Sequence, residues 1–210
     1  MGRFKHISTA PVPERALIVG VDTGKGDWLL KDSLDELARL VNTADAVVVA
    51  RETQRLDAPV PKTFVGSGKV EELVGIVRRM DIDIVVFDDE LTPSQQANLE
   101  KAFGDPVKVI DRTALILDIF GRHATTREGR LQVQLAQLQY LLPRLRGMWS
   151  HLMGEQTRGG IGSRFGQGES QLEVDRRIVR DRISQLKHEL ERLETRRITQ
   201  SKARWDSGVW

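Results

Sequence analysis

Residues 15–21 read RALIVGV, and this apolar run is the first of four that decide the fold class. The others read ADAVVVA at 44–50, DIDIVVF at 81–87 and VKVI at 107–110. All four are short and rich in Val and Ile, which is typical of strands buried on both faces of a parallel sheet. Helical patterns separate them, so the sequence predicts right-handed βαβ crossovers and a small doubly wound α/β layer.

Three helices are predicted between these runs. Residues 33–36 read SLDE and residues 92–95 read TPSQ, which are the capping patterns of two helix starts. Gly104 is expected to end the second helix, because glycine is favoured just beyond a helix C-terminus. A third helix is predicted over 69–80. Residues 51–61 contain two prolines and are expected to form an extended loop.

The turn VGSGK at 65–69 fails the test for a phosphate loop. A P-loop requires G-x-x-x-x-G-K-[ST], whereas Thr63 stands at the first glycine position and Val70 at the hydroxyl position. The segment at 20–26 fails similarly, and no N-K-x-D motif occurs, so a GTPase-type site is excluded from these 210 residues. Three residues remain candidates for a weak nucleotide or anion site: Gly66, Gly68 and Lys69. The alternative, which we favour, is a plain strand-to-helix turn.

Composition excludes several classes of protein. There is no Cys, so disulfides, thiol catalysis and Cys-bound metals are excluded. The four His are scattered without metal-ligand spacing, and no apolar run approaches the roughly 20 residues that a bilayer requires. We therefore expect no metal site and no membrane span, and a cytoplasmic location. Residues 88–90 read DDE at a strand end, but they lack a partner for catalysis, so a solvated loop and no catalytic residue are expected.

The two halves of the chain differ in charge. Residues 1–110 hold 14 basic and 18 acidic side chains, whereas residues 111–210 hold 18 basic and 12 acidic ones, and 16 of those 18 are Arg. Arginine binds phosphate bidentately and stacks on bases, so the second half is predicted to face a polyanion. The alternative is a solvated helix in which Arg and Glu pair with each other.

Two heptad seams follow in the second half. The first consists of Leu131, Leu135, Leu138, Leu142 and Leu145. The second consists of Leu172, Val179, Ile183, Leu186, Leu190 and Leu193, with Arg176 at its polar position. Pro143 is expected to end or kink the first helix, and SQLE at 170–173 to start the second. We predict an antiparallel helical hairpin, and the alternative is that each helix packs separately on the sheet.

The segment between the seams, residues 147–168, holds seven Gly in 22 residues, interleaved with Trp149 and Phe165. A hairpin could close with far fewer residues, so this loop is either a tolerated insertion or a probe that contacts RNA. Its apolar side chains favour the probe. The candidate RNA-binding residues share an Arg side chain or a place in the loop: Arg127, Arg130, Arg158, Gly159, Gly160, Ile161, Gly162, Arg164, Arg176 and Arg177. Arg180 and Arg182 also flank the helices, and binding through such residues weakens steeply with salt.

Several long motifs resemble the N-terminal region of the HflX family of ribosome-associated GTPases. They read DRTALILDIF at 111–120, TREG at 126–129, LQVQLAQL at 131–138, YLLPRL at 140–145, GGIG at 159–162 and GESQLEVDRR at 168–177. FDDELTP at 87–93 and VGSGK at 65–69 also fit, so the resemblance covers about residues 15–205. Gln167, Ser170 and Val174 depart from the residues that are more usual in the family.

The resemblance implies an α/β subdomain at 1–112, a helical hairpin at 113–205 with its glycine-rich tip at 147–168, and the start of a missing GTPase domain at 206–210. It implies binding to the large ribosomal subunit and its rRNA, with the tip reaching towards the peptidyl-transferase centre, and a role in splitting stalled or stressed ribosomes. GTP and Mg²⁺ would be bound by the missing GTPase domain, which would also be a partner of this part of the chain. Two alternatives remain: an ATP-binding or RNA-helicase-like activity in the α/β subdomain, and regulation of the GTPase domain.

Overall fold

The structure is a computed structural model that describes residues 13–24, 30–145 and 167–206, with side chains in the last segment described for 173–199. Within these residues four parallel strands form one sheet. In chain order they are β1 (Glu14–Asp22), β2 (Ala46–Arg55), β3 (Ile84–Phe87) and β4 (Lys108–Asp111). Their spatial order is β2-β1-β3-β4. The parallel pairing of neighbouring strands confirms the predicted parallel sheet of an α/β fold.

Helices connect and follow the strands in the described part of the chain. In chain order they are α1 (Leu30–Thr43), α2 (Ser67–Arg79), α3 (Pro93–Phe103), α4 (Arg112–His123), α5 (Arg127–Leu141) and α6 (Gln167–Asp206). A 3₁₀ turn, Leu142–Arg144, follows α5 directly. No helix among the described residues combines the length and the apolar character that a bilayer crossing requires.

Side chains of β1 alternate between two buried layers. Ala16 and Ile18 pack with residues of α1 and α4, whereas Leu17 and Val19 pack with residues of α2 and α3. All four residues are fully buried. Helices therefore cover both faces of the sheet, which explains why this strand is a continuous apolar run rather than an alternating pattern.

Most strand boundaries lie within two residues of the predicted runs, and two differ by more, at the end of β2 and the start of β3. The apolar pattern of β2 stops at Ala50, but the strand continues to Arg55, and Asp22 of β1 is paired with that residue. The expected loop at 51–61 is therefore wrong over its first half. β2 is an edge strand, and an edge strand can carry charged side chains. β3 begins at Ile84 because Asp81, with a φ of 45°, belongs to the turn that precedes it.

The predicted helix start at Thr92 is confirmed, and its cap is a complete capping box, whereas the two predicted capping boxes at 33–36 and 170–173 are wrong. Thr92 Oγ1 accepts a hydrogen bond from the Gln95 backbone N–H at 3.2 Å, and Gln95 Oε1 accepts from the Thr92 N–H at 2.9 Å. Gly104 caps the C-terminus of this helix, as predicted. Ser33 lies inside α1, and residue 170 lies inside α6, so neither is a helix cap. The pattern also occurs within helices, where its hydroxyl is free to serve another contact.

Helix α4 packs with the sheet, although the sequence predicts it as part of the hairpin domain. Asp111, the last residue of β4, caps α4 by accepting from the Ala114 N–H at 2.8 Å. Leu115 of α4 then lies in the same core cluster as Ala16 and Ile18. Gln137 of α5 donates to the Leu117 carbonyl at 3.1 Å, so α4 lies between the sheet and the helices that follow.

Candidate nucleic-acid interface

Helices α5 and α6 form the antiparallel pair that the heptad spacing predicts. Arg127 at the start of α5 is ion-paired with Glu189. Gln134, two turns further along α5, accepts from Arg182 of α6 at 3.4 Å. Residue numbers therefore rise along α5 while they fall along α6, which confirms an antiparallel arrangement.

The seam between the two helices is only partly sealed. Leu186 is fully buried, whereas most other seam residues are half-buried. The half-buried members are Leu131, Leu135, Leu138, Leu142 and Leu145 on one side and Val179, Ile183, Leu190 and Leu193 on the other. The side chain of Leu172 lies outside those that the structure describes. Because α5 also packs on α4, the pair is attached to the α/β layer along one side rather than standing free.

Some arginines of the pair are already bound to carboxylates of the chain. Arg127 pairs with Glu189, and Arg180 pairs with Glu173 at 3.3 Å. Both arginine side chains are exposed, so each pair is weak and could exchange its carboxylate for a phosphate. Intramolecular pairing of this kind is the solvated-helix alternative that the charge pattern left open.

Other arginines are not ion-paired within the described residues. Arg130 of α5 and Arg177 of α6 are exposed and form no salt bridge with another described residue. Arg182 contacts the neutral amides of Gln134 and Gln185. Arg176 is half-buried at the seam, and within the described part its Nε has no hydrogen-bond partner. Among the described side chains, the surface of the pair thus carries guanidinium groups that no carboxylate holds in an ion pair.

The predicted contacts of the glycine-rich loop lie outside the described residues. They are Arg158, Gly159, Gly160, Ile161, Gly162 and Arg164. Their RNA-binding role stays a prediction.

The turn at 65–69 is tied to the chain around it. Lys69 Nζ lies 2.6 Å from Glu52 Oε2 and 3.0 Å from Glu72 Oε1, and its side chain is 10% exposed. Burial lowers the pKa of Lys69, but hydrogen bonds to the two carboxylates outweigh it and raise that pKa above its ordinary value. The Gly66 N–H donates to Gln54 Oε1 at 2.9 Å.

These contacts argue against a nucleotide site at the turn 65–69. The ammonium group and the amide that would bind a phosphate are both engaged within the chain, and Gly68 is followed by that neutralised lysine. The turn therefore acts as a strand-to-helix connection. A nucleotide site at Gly66, Gly68 and Lys69 stays a prediction without support from this geometry, and these residues do not fit GTP.

Of the three carboxylates at 88–90, Asp88 departs from the expected solvated loop, whereas Asp89 and Glu90 are exposed as that expectation requires. Asp88 is 8% exposed, and its Oδ1 accepts from Arg112 Nη2 at 2.6 Å while its Oδ2 accepts from Ser33 at 2.6 Å. Partial desolvation, and next the charge of Asp88, raise the pKa of Asp89. No sequence pattern signals this cluster, because Arg112 lies 24 positions away and meets Asp88 only across the sheet edge.

Comparison with known proteins defines the class first. The family model described as GTP-binding GTPase N-terminal matches residues 31–121, and the model described as GTP-binding GTPase Middle Region matches residues 123–204. An α/β layer followed by a long helix pair is thus the N-terminal and middle part of a GTP-binding GTPase.

Curated relatives then identify the family. The GTPase HflX of Flavobacterium psychrophilum is 50% identical over 188 residues, which cover 89% of this chain and 44% of that protein. The GTPase HflX of Escherichia coli is 47% identical over 166 residues, or 79% of this chain and 38% of that protein. The chain belongs to the HflX family. It spans less than half the length of these two relatives.

Two solved structures share the fold. The crystal structure of SsGBP in complex with GDP matches with a TM-score of 0.61 and 22% identity over 90% of this chain and 46% of that one. A GTP-binding protein from the archaeon Sulfolobus solfataricus in complex with GDP matches with a TM-score of 0.58 and 21% identity over 88% of this chain and 46% of that one. At these identities the likeness extends to the fold alone.

Proposed function

We propose that this chain is the ribosome-binding part of an HflX-type GTPase, and that its α5–α6 pair contacts rRNA of the large ribosomal subunit. Family membership supports the choice of this partner. The observation that carries the proposal is that some arginines of the helix pair form no ion pair with a described carboxylate, above all the exposed Arg130 and Arg177. Guanidinium groups of this kind on a rigid helical surface bind phosphates without first breaking an internal ion pair.

The helix pair presents these groups with little conformational freedom. The pair is packed on α4 and the α4 helix on the sheet, so a phosphate contact costs mainly the ordering of the arginine side chains themselves. In this proposal the loop at 147–168 adds contacts deeper in the RNA, towards the peptidyl-transferase centre. Splitting of stalled or stressed ribosomes, in the cytoplasm, would be the outcome in the complete protein.

In this proposal the α/β layer and the helix pair do not bind or hydrolyse GTP themselves. GTP and Mg²⁺ serve the complete protein through a GTPase domain, since the turn at 65–69 holds its own lysine between two carboxylates. The α/β layer and the helix pair contribute binding and positioning to that reaction. That GTPase domain is accordingly their second partner.

The test is co-sedimentation of this chain with purified large ribosomal subunits at several KCl concentrations. Log K falls as log salt rises, and each phosphate contact that is lost should reduce the magnitude of this negative slope by about 0.7 to 0.9. We therefore expect Arg130→Gln with Arg177→Gln to weaken binding and to reduce the magnitude of the slope by roughly one to two.

A matched control separates the site from general electrostatics. Arg78→Gln with Arg79→Gln removes the same charge from exposed positions on α2, which covers the opposite face of the sheet from α4. This control should leave the slope nearly unchanged. Equal effects of the two double variants would contradict the assignment of the helix pair, and the absence of any salt-sensitive binding by the unmodified chain would contradict the proposal as a whole.

A further inference from the structure

Arg144 joins the helix pair to the α/β layer. It lies in the 3₁₀ turn after α5, and its side chain is only 7% exposed. Its Nη2 donates to the Leu91 carbonyl at 2.7 Å, and its Nε donates to Gln96 Oε1 at 3.1 Å. Leu91 precedes α3 and Gln96 lies on α3, so one side chain from the helix pair bonds two parts of the α/β layer. This set of contacts around Arg144 is called the joint.

Two carboxylates balance the charge of Arg144: the exposed Glu90, whose Oε1 lies 3.7 Å from Arg144 Nη2, and Asp111, which is itself part of the joint. Asp111 is fully buried, and its Oδ2 lies 3.5 Å from Arg144 Nη2 while accepting from the Leu91 N–H at 3.0 Å. Its Oδ1 accepts from Ala114 at the start of α4. A buried charge pair that also satisfies backbone groups is costly to break, because removing one partner leaves the other desolvated and unpaired.

The ring of Tyr140 completes the joint. The guanidinium carbon of Arg144 lies 3.5 Å from the centroid of this ring, and Arg144 Nη1 donates to the Tyr140 carbonyl at 2.9 Å. Burial, and next the charge of Asp111, raise the pKa of Tyr140, so the phenol stays neutral and its ring remains a partner for the cation. The arginine is thus held from both sides.

Helix α5 is consequently attached to the α/β layer at both of its ends. Its start follows α4 directly in the chain. At its end, Arg144 contacts Leu91 and Asp111, which lie at the carboxyl ends of β3 and β4. The helix has 15 residues, which at 1.5 Å per residue separates the two attachments by about 20 Å. A helix that is attached at two such points cannot rotate about either of them relative to the sheet.

We propose that Arg144 is a positioning residue that fixes the angle between the α5–α6 pair and the sheet. That angle determines where the exposed arginines of the pair meet RNA. The angle itself is independent of any ligand, whereas its consequence for RNA binding rests on the function proposed above.

The angle can be measured directly, because the chain has no Cys and two introduced cysteines are therefore unique labelling sites. Glu71→Cys on α2 and Lys187→Cys on α6 place spin labels at exposed positions on the two sides of the joint. Pulsed EPR should give one narrow distance distribution for the unmodified background. We expect Arg144→Met to broaden or shift this distribution, and Arg144→Lys to do so less, since it keeps the charge but loses the planar fork.

The control is Arg122→Met, which removes an ion-paired arginine of α4 that is 49% exposed and should leave the distribution narrow. Circular dichroism verifies folding. If Arg144→Met does not fold, Gln96→Leu is measured in its place. It removes the bond between Arg144 and Gln96 and leaves the buried charge pair intact, and it also removes the Gln96 bond to the Val109 carbonyl within the α/β layer. Folded variants of Arg144, or Gln96→Leu in their place, with an unchanged distribution would overturn the inference.

The functional consequence is tested by sedimentation with large subunits. Arg144→Met should weaken binding by about two- to thirty-fold, the range typical of residues that couple two sites without touching the ligand. In a background that already lacks Arg130 and Arg177 side-chain charge, the same change should cost clearly less, because a positioning residue acts through the groups that it places. Additive losses would overturn the link between the angle and RNA binding. Failure of the unmodified chain to bind would instead contradict the proposed function and leave the EPR result standing.

Discussion

Replacing Leu186 with Ala should destabilise the packing of α6 on α5 more than any neighbouring truncation. Leu186 is fully buried, and Leu→Ala changes at buried sites cost about 2 to 5 kcal/mol. The surrounding seam residues are half-buried, so the site can collapse and water can enter part of the space. We therefore expect the lower part of that range, about 2 to 3 kcal/mol.

Urea unfolding followed by circular dichroism at 222 nm measures this cost. With an m-value of about 2.5 kcal/mol/M, Leu186→Ala should lower the midpoint of unfolding by about 1 M. Ile178→Ala is the matched control on the same helix: its side chain is 58% exposed, and it should change the free energy of unfolding by less than about 0.5 kcal/mol. Equal midpoints for the two variants would refute the reasoning, because the helix pair would then have no sealed centre.

Two further predictions concern the α/β layer. Thr92→Ala removes a capping box and should cost about 1 kcal/mol in thermal or urea unfolding, whereas Ser94→Ala, at an exposed position of the same helix, should cost almost nothing. Lys69→Met should be destabilising by an amount that depends on pH. Because the pKa of folded Lys69 is raised above the unfolded value of about 10.4, its contribution is complete below that pH and is lost as the pH rises through the folded pKa. The difference from the unmodified chain should thus be constant near neutrality and shrink above about pH 10.5, and a difference that grew there would contradict the ion-pair assignment.

The strands were predictable because their signal is local. A strand covered by helices on both faces must be apolar at successive positions, and residues 15–21 meet that condition without reference to any other part of the chain. The same holds for the cap at Thr92, whose partners lie within three residues. The second half of β2 was missed because its pairing with β1, not its own composition, makes it a strand.

The heptad seams predicted which helices pair, but not how firmly the pair is attached. Spacing of leucines identifies the faces of α5 and α6 that meet, since a period of seven residues returns to one side of a helix. The leucine spacing does not indicate that α5 also packs on α4. The hydrogen bond between Gln137 and the Leu117 carbonyl produces no periodic pattern in the sequence.

The sequence by itself therefore determined the α/β layer, the antiparallel helix pair, the excess of arginine in the second half and, through long motifs, the family. Only the tertiary structure decided which charges are engaged within the chain: Lys69 between two glutamates, Asp88 against Arg112, and Arg144 in the joint with Asp111. The physical reason is range. Burial and periodicity can be recognised within a few residues of sequence. An ion pair depends instead on the distance in space between its two side chains, and in these three pairs the partners are 17, 24 and 33 positions apart in the sequence.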